Sequence, residues 1–537
     1  MLAQGATLVR ERGIVSDVDL GPLLDPAVPF PGDPLLHQRL QHMYDAGAWV
    51  LMESSLADLP ADLRWLFESG AVTLPQLAAI HDATGATSAA DIAAALDDRI
   101  IPSIPGLDES TEHAIAAALP TLRATIPRIP LGRAITIVDP IVETLTATPG
   151  IEWAVAAGSL RRGQETVGDL EIVASASEPA AALEALSRHP DAGRVLHRSD
   201  RSIYLLFDRV QLGVRFASPD AAGSTLWRLS GSPAHVSAIN HLARERGVNV
   251  SSTASEQELF ERIGFPFIPA EIRDGRDEIA AAREGRLPNL VSRGDIRGDL
   301  HMHTSWSDGR DTVEAMVATC HALGYEYIAI TDHSPRSAAS RTLTLDGLRQ
   351  QADEIEEVRA KYPNLTIFHG CEVDILQDGS LDFPDEVLEE LDIVLASLHD
   401  AAGQSADKLE RRYVAAMKHP LVTLITHPTN RMLPYRAGYK LDYERLFATA
   451  VETGTFMEID GAPAHLDMDG ALARRALAAG VTVTIDSDCH RAEMLGRQMA
   501  LGIATARRGW VEPQHVLNTR PLAELRALIE RKRSTFG

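Results

Sequence analysis

Histidine and acidic residues recur in this 537-residue chain in short groups whose spacing suits metal binding. In the stretch 299–333, DLHMHTSWSDGRDTVEAMVATCHALGYEYIAITDH, His301 and His303 stand at i and i+2, so on an extended strand both imidazoles leave the same face. Asp308 follows in a glycine-containing loop where a carboxylate can fold back, and Asp332-His333 closes the stretch. The same residue types return as Glu372 in HGCEVD, His399 in SLHD, His427 in THP, and Asp488 and His490 in SDCH, the last two again at i and i+2. These six imidazoles and three carboxylates are enough for three divalent ions when water or phosphate oxygen fills the remaining positions. Mixed nitrogen and oxygen donors suit manganese or zinc. Asp332 and Cys489 point away from their ligand neighbours on a regular strand, so both suit supporting roles, and Asp460 either lines the site or caps its strand.

Nine such residues must be brought together by a repeating framework, and the sequence supplies one. Seven apolar, β-branched runs (299–303, 327–333, 366–372, 393–399, 421–427, 455–460 and 481–488) end in polar residues, and most are separated by amphipathic helical stretches. Their ends lie roughly 27 to 39 residues apart, the size of a βα unit. The pattern predicts a barrel of about seven parallel strands with helices outside, in which functional residues belong at the carboxyl ends of strands. That is where the histidines and acids stand.

The chain before residue 296 reads differently. Residues 1–60 hold Pro- and Gly-rich pieces and no motif. From 61 to about 150 the apolar spacing is helical, and Ile104-Pro105-Gly106-Leu107-Asp108 between two helices resembles a helix–hairpin–helix. Asp108 stands where the second glycine would be, so a plain inter-helix turn fits equally. In 158–173, GSLRRGQETVGDLEIV, Gly158-Ser159 opens a turn toward a helix, Arg161 and Arg162 add positive charge, and Asp169 and Glu171 share a strand face as paired metal-binding carboxylates must. Residues 265–295, with Pro266, Pro269 and Pro288, read as a connector.

Two resemblances follow from these residues. The string 158–173 resembles the nucleotidyltransferase signature of family X DNA polymerases, with Ser230-Gly231-Ser232 and the helix after it resembling the downstream nucleotide-binding turn. The family's third aspartate falls at Gly213, in VQLGVRF, Glu171 replaces an aspartate, and Arg228-Leu229 replace an aromatic pair. Without the third carboxylate the general base of phosphoryl transfer is gone. The C-terminal ligand set resembles the polymerase and histidinol phosphatase (PHP) domain, with His301, His303, Asp308, His333, Glu372, His399, His427, Asp488 and His490 all present. The order of the two modules resembles the bacterial family X DNA polymerases.

Together these give an α/β chain: an N-terminal segment, 1–60; a family X polymerase-like α+β nucleotidyltransferase-like module, 61–264, with a helical part to 150 and a degenerate site at Gly158, Ser159, Arg162, Asp169 and Glu171; a linker, 265–295; and a distorted (βα)7 PHP barrel, 296–537. The resemblance implies a trinuclear Mn2+ or Zn2+ phosphoesterase acting on DNA 3′ ends or gaps as a 3′–5′ exonuclease, and in some members as an abasic-site endonuclease, in repair. A histidinol-phosphatase-like enzyme or a working gap-filling polymerase are the alternatives. Residues 411–440 hold six Lys and Arg and no acid, with His427 in their midst, which makes Arg431 and Arg436 the expected phosphate contacts. A net charge of −24 excludes an indiscriminate grip on nucleic acid. Three scattered cysteines suggest no disulfide framework, and charges near the N-terminus with no long apolar run suggest an unexported, cytoplasmic protein.

Overall fold

The computed structural model describes His37 and residues 63–536, apart from 64–65, 68, 87–90, 93–94, 97–98, 126–127, 169, 191, 193, 208–209, 338 and 400–402. Residues 1–60, His37 aside, and Asp169 therefore lie outside the described residues.

The C-terminal part is the expected distorted (βα)7 barrel. Five strands of an earlier sheet, β1–β5, are described below; the barrel strands are β6 Gly298–Asp299, β7 Tyr327–Ile330, β8 Thr366–Asp374, β9 Ile393–Ser397, β10 Val422–Ile425, β11 Phe456–Asp460 and β12 Val483–Asp486. They lie side by side in chain order, all parallel. Alternation sends Leu300, Ala329, Phe368, Leu395 and Leu424 inward, while Ile328, Ile330, Ile367, Val394 and Ile425 face the surrounding helices. Thr312, Thr344, Ser405, Asp442 and Asp469 each cap the helix that follows with a side-chain oxygen, worth about 1 kcal/mol apiece.

Between β6 and β12 the ring is closed mostly by side chains. Leu300 N–H donates to Asp486 Oδ1 at 2.8 Å, Ser487 N–H to Asp299 Oδ1 at 3.1 Å, and Asn518 Nδ2 reaches the Gly298 and Ile485 carbonyls. Beyond this seam, Met302 and Cys489 form a parallel bridge. The far end is stoppered by the helix Leu522–Phe536, which puts Leu525 and Ile529 into the barrel and ties the Lys532 ammonium to Met417 O and Thr455 Oγ1.

The N-terminal module has a mixed five-stranded sheet: β1 Ile151–Ala156, β2 Leu170–Ala176, β3 Arg194–Arg198, β4 Ser202–Phe207 and β5 Val210–Ala217. Its order is β1-β2-β5-β4-β3, and only β2 and β5 run parallel. The helical part before it has a separate core around Leu66, Ile80, Ile101 and Ile115. There Asp108 caps the helix Glu109–Thr125 by accepting from Thr111 N–H at 2.8 Å, as a plain inter-helix turn would. The joining segment 265–295 is itself folded, burying Phe265, Ile268, Ile272 and Leu290.

The module rests directly on the barrel. Leu466 and Leu501 of the barrel are buried in the module's own core, and a Cβ at Gly132 would lie 2.4 Å from Pro463 Cβ. Arg507–Glu271 at 2.6 Å and Arg474–Asp277 at 2.8 Å fasten the joining segment to barrel helices.

Candidate metal centre

At the carboxyl ends of the barrel strands the nine histidines and acids of the sequence pattern meet. Ligand atoms of His303, Asp308, His333 and His490 lie within 4.8 Å of one another, as do those of His301, His303 and Asp488, and those of His333, Glu372 and His399. His427 joins through Nε2, 2.8 Å from Glu372 Oε1. The first strand is shorter than its apolar run, yet the i, i+2 geometry holds: His301 Nε2 and His303 Nε2 face each other at 3.1 Å. Thr331 N–H donates to Met302 O and His303 N–H to Cys489 O, so the stretch stays extended without a full ladder.

Glu372 is central. Its Oε2 lies 2.7 Å from His333 Nδ1 and 3.7 Å from both His301 and His303 Nε2, and its Oε1 lies 3.4 Å from His399 Nε2. Burial alone would raise its carboxyl, but the imidazoles of His399, His333 and His301 drive it well below the usual carboxylate range. Glu372 Oε2 and His333 Nδ1 nevertheless make no directed hydrogen bond, nor do the buried His303 and His427 Nδ1. Buried polar atoms normally find partners, so Glu372 Oε2 and His333 Nδ1, side by side at 2.7 Å within the cluster and without a directed bond, fit a cation there. The donor set therefore suits divalent metal ions. His427 and Asp488 hold φ of +22° and +45°, backbone conformations that non-glycine residues adopt where surrounding structure imposes them.

The centre is open on one side. His301 and His303 are fully buried, whereas side-chain exposure reaches 21% at Asp308, 35% at His490 and 18% at His399. Burial is the largest single influence on the His490 and His399 imidazoles and lowers both, but the carboxylates of Asp308 and Asp488 together outweigh it at His490, and those of Glu372 and Asp374 together at His399, raising them to about 9 and about 10.

Supporting residues emerge that the motifs did not single out. Glu458 lies 2.7 Å from His301 Nδ1 and accepts from His427 N–H at 2.7 Å, and Asp374 Oδ2 lies 3.2 Å from His399 Nδ1. Each sits at i+2 from another site acid on its strand (Glu458 from Asp460, Asp374 from Glu372), a signal the sequence does carry. His465, stacked on His427 with ring centroids 5.5 Å apart, lies in an irregular loop with no such signal. Asp332 accepts from Thr304, Ser307 and Gln351, holding the turn between His303 and Asp308. Cys489 is buried with its thiol directed to Arg491 O, and Asp460 accepts from Ala462 N–H.

Arg431 and Arg436 follow His427 but spend donors on the protein. Arg431 reaches the His465 and Leu466 carbonyls, and Arg436 donates to Asn430 O at 3.0 Å and Asn430 Oδ1 at 2.6 Å. Both brace the loops beside the centre.

The N-terminal site is organised otherwise. Gly158, at φ +64°, opens a single turn, Gly158–Arg161; Arg161 pairs with Glu256 at 2.6 Å, and Arg162 donates to Ser230 O at 2.8 Å. Ser159 lies in that turn, and Ser232 caps the helix Pro233–Glu245. Glu171 is opposite Gly213 across β2 and β5, where a Cβ would come within 2.9 Å of both Glu171 oxygens. The space is taken by the Glu171 carboxylate itself and the Tyr204 ring, and Arg215 beside them lies 2.6 Å from Asp91 Oδ2, 2.7 Å from the Tyr204 hydroxyl and 3.5 Å from Glu171 Oε2.

Comparison with known proteins agrees with both halves. The PHP domain family matches residues 299–440. The DNA polymerase/3′-5′ exonuclease PolX of Bacillus subtilis (strain 168) is 33% identical over 508 residues, 92% of this chain and 89% of that protein. A probable phosphatase of Thermoanaerobacter sp. (strain X514) is 30% identical over 251 residues, 44% of this chain and 96% of its own length. Among solved structures, a histidinol phosphate phosphatase of Lactococcus lactis subsp. lactis Il1403, complexed with zinc, L-histidinol and phosphate, matches 40% of this chain and 95% of its own at 16% identity and a TM-score of 0.31. Leishmania infantum polymerase beta matches 37% of this chain and 92% of its own at 16% identity and a TM-score of 0.24. With a full-length relative, a PHP barrel and a metal-ligand centre at its mouth, the chain belongs to the bacterial family X DNA polymerase/3′-5′ exonuclease (PolX) family and carries a C-terminal PHP metal-dependent hydrolase domain.

Proposed function

We propose that the chain is a nuclease removing nucleotides from DNA 3′ ends, with abasic-site cleavage as a further activity in repair, and that its chemistry lies in the barrel. The observation that carries this reading is the convergence of nine donor residues, linked through Glu372, on a partly open space at the barrel mouth. His301, His303, Asp308, His333, Glu372, His399, His427, Asp488 and His490 would hold three divalent ions, manganese or zinc. Ions held there supply a lowered water pKa for attack at phosphorus and positive charge for the departing oxygen.

The chain's own residues set the geometry. Glu458 takes the Nδ1 proton of His301 and Asp374 that of His399, leaving each Nε2 lone pair facing inward. The buried His301 and His303 form the floor, and the exposed edges of Asp308, His490 and His399 leave a way in for a phosphodiester. In the N-terminal module, Arg215 occupies the ground beside Glu171, and Gly213 offers no carboxylate, which supports loss of template-directed synthesis. That module then serves to present DNA.

The test incubates the full chain with Mn2+ and a 3′-recessed duplex, with and without dNTPs, beside His301→Ala. Stepwise 3′ shortening that disappears in the variant is expected. Extension with dNTPs would overturn the reading of Gly213 and Arg215. Intact DNA together with phosphate release from small monoesters would replace the nuclease with a phosphatase, as in relatives that span the barrel alone.

A further inference from the structure

The open side of the metal centre has cations besides those in the basic run after His427. Arg310 stands two residues beyond Asp308, is exposed, and its backbone N–H donates to His490 O at 2.9 Å. Asp308 and His490 are the two most exposed ligand-type side chains, at 21% and 35%. Among the described residues the Arg310 guanidinium makes no hydrogen bond or ion pair.

Its loop is firmly placed. A Cβ at Gly309 would lie 2.5 Å from His303 O, so only glycine allows this approach to the ligand strand. Asp311 then bonds on both sides, its carbonyl accepting from Ser305 N–H and its Oδ2 from Ala492 N–H at 2.8 Å. Arg341 comes from the loop after His333. It is exposed, and one guanidinium nitrogen donates to Gly309 O at 3.2 Å, which brings its charge beside Arg310. The same loop carries Ser337, 3.5 Å from His399 Nδ1, so it runs along the open edge.

We infer that Arg310 and Arg341 form a phosphate-backbone grip at the entrance of the metal centre, holding a phosphate next to the one being cleaved and so favouring polynucleotide ends over small phosphate esters. The inference rests on the nuclease reading for its substrate. The Arg341 guanidinium is tied to the loop carbonyl of Gly309, and the Arg310 side chain leaves a backbone fixed to His490, so both cations start from anchored points beside the centre and the unpartnered Arg310 is free to meet a neighbouring phosphate of a strand. Arg431 and Arg436, by contrast, have donors committed to backbone carbonyls and to Asn430.

Binding is measured in the full-length His301→Ala protein by fluorescence anisotropy with a 5′-labelled single-stranded oligonucleotide over a series of salt concentrations. Arg310→Ala and Arg341→Ala are each expected to raise Kd severalfold, and each lost phosphate contact to lower the log–log salt slope by about 0.7 to 1. Arg310→Lys should recover part of the affinity. Arg349→Ala removes an equal charge from an exposed helix position paired with Glu390, and should leave Kd unchanged. In the hydrolytically competent protein, the double Arg variant should lose more kcat/KM on the oligonucleotide than on bis(p-nitrophenyl) phosphate, with KM carrying the larger share. Wild-type Kd and slope in the double variant would overturn the inference, as would an equal loss in Arg349→Ala. If the native protein cleaves the small ester but never DNA, the nuclease reading falls; a DNA Kd that still responds to the Arg pair then upholds the grip, and one that does not overturns it.

Discussion

Glu171 and Glu372 are both buried carboxylates on strands of a central sheet, yet their surroundings neutralise them in opposite ways. Glu171 faces a guanidinium: Arg215 reaches it, Asp91 and Tyr204 together, so positive charge is built into the chain. Glu372 faces five imidazoles, and its own Oε2 and the His333 Nδ1 beside it lack directed partners. A carboxylate cluster with its own cation has no need of metal. One lined by neutral-capable imidazoles becomes self-consistent when cations enter. The two halves of the molecule thus use related side chains differently: among the described residues Glu171 has a guanidinium of the chain beside it, whereas Glu372 has imidazoles.

The sharpest break of this contrast is at its centre. Glu372→Gln should reduce hydrolysis by about a thousandfold or more, because it removes the charge shared by the whole ligand set, and metal content measured by mass spectrometry should fall with it. Unchanged metal content would show that Glu372 is not the hub. On the other side, Arg215→Leu leaves Asp91 and Glu171 buried without their cation and should cost about 3–5 kcal/mol of N-terminal module stability, read by thermal or urea unfolding. Adding Asp91→Asn should recover much of that loss. Hydrolysis by the barrel should persist in both proteins.

A smaller effect tests the supports. Glu458→Gln should weaken metal affinity or activity by about 10- to 100-fold by loosening His301 and His427, with the ligand set itself untouched. Proton linkage gives the mildest test. His490 and His399, at about 9 and about 10 without metal, are raised above the ordinary histidine value of 6.5, so the stability they give the metal-free protein is full below 6.5 and lost as pH rises through 9 to 10. Metal needs both imidazoles neutral, so its affinity should instead rise over the same window, by up to about tenfold per pH unit for each proton displaced. Unfolding curves of stripped and metal-loaded protein should therefore diverge between pH 6.5 and 9. Parallel curves would mean that these histidines do not bind metal.

Much of the barrel site was legible because its rules are local. An i, i+2 pair on a strand shares a face, and a ligand at a strand's carboxyl end is already at the mouth of a parallel barrel, so His301 with His303 and Asp488 with His490 could be placed from spacing alone. Gly213 was singled out by the family resemblance instead of by spacing, and only the pairing of two distant strands sets it opposite Glu171. Arg431 and Arg436 show the limit. Their positive charge was visible, but the bonds they make were not: Arg431 meets carbonyls only because the segment with His465 and Leu466 folds against it, and Arg436 turns back on Asn430 in its own loop. The segment 265–295 likewise looks like a connector in composition, while its apolar residues find a core only once the neighbouring helices are present.

Sequence by itself determined the barrel, its seven strands and the nine residues at their ends, because strand alternation and βα spacing are written in neighbouring positions. Tertiary structure alone decided which charges meet. Glu458 reaches His301 across 157 residues, Arg215 meets Asp91 from another subdomain, and Arg310 is set beside His490 by a loop that packs against the ligand strand. Such pairings depend on how separately folded elements pack, which the spacing of residues along the chain does not encode.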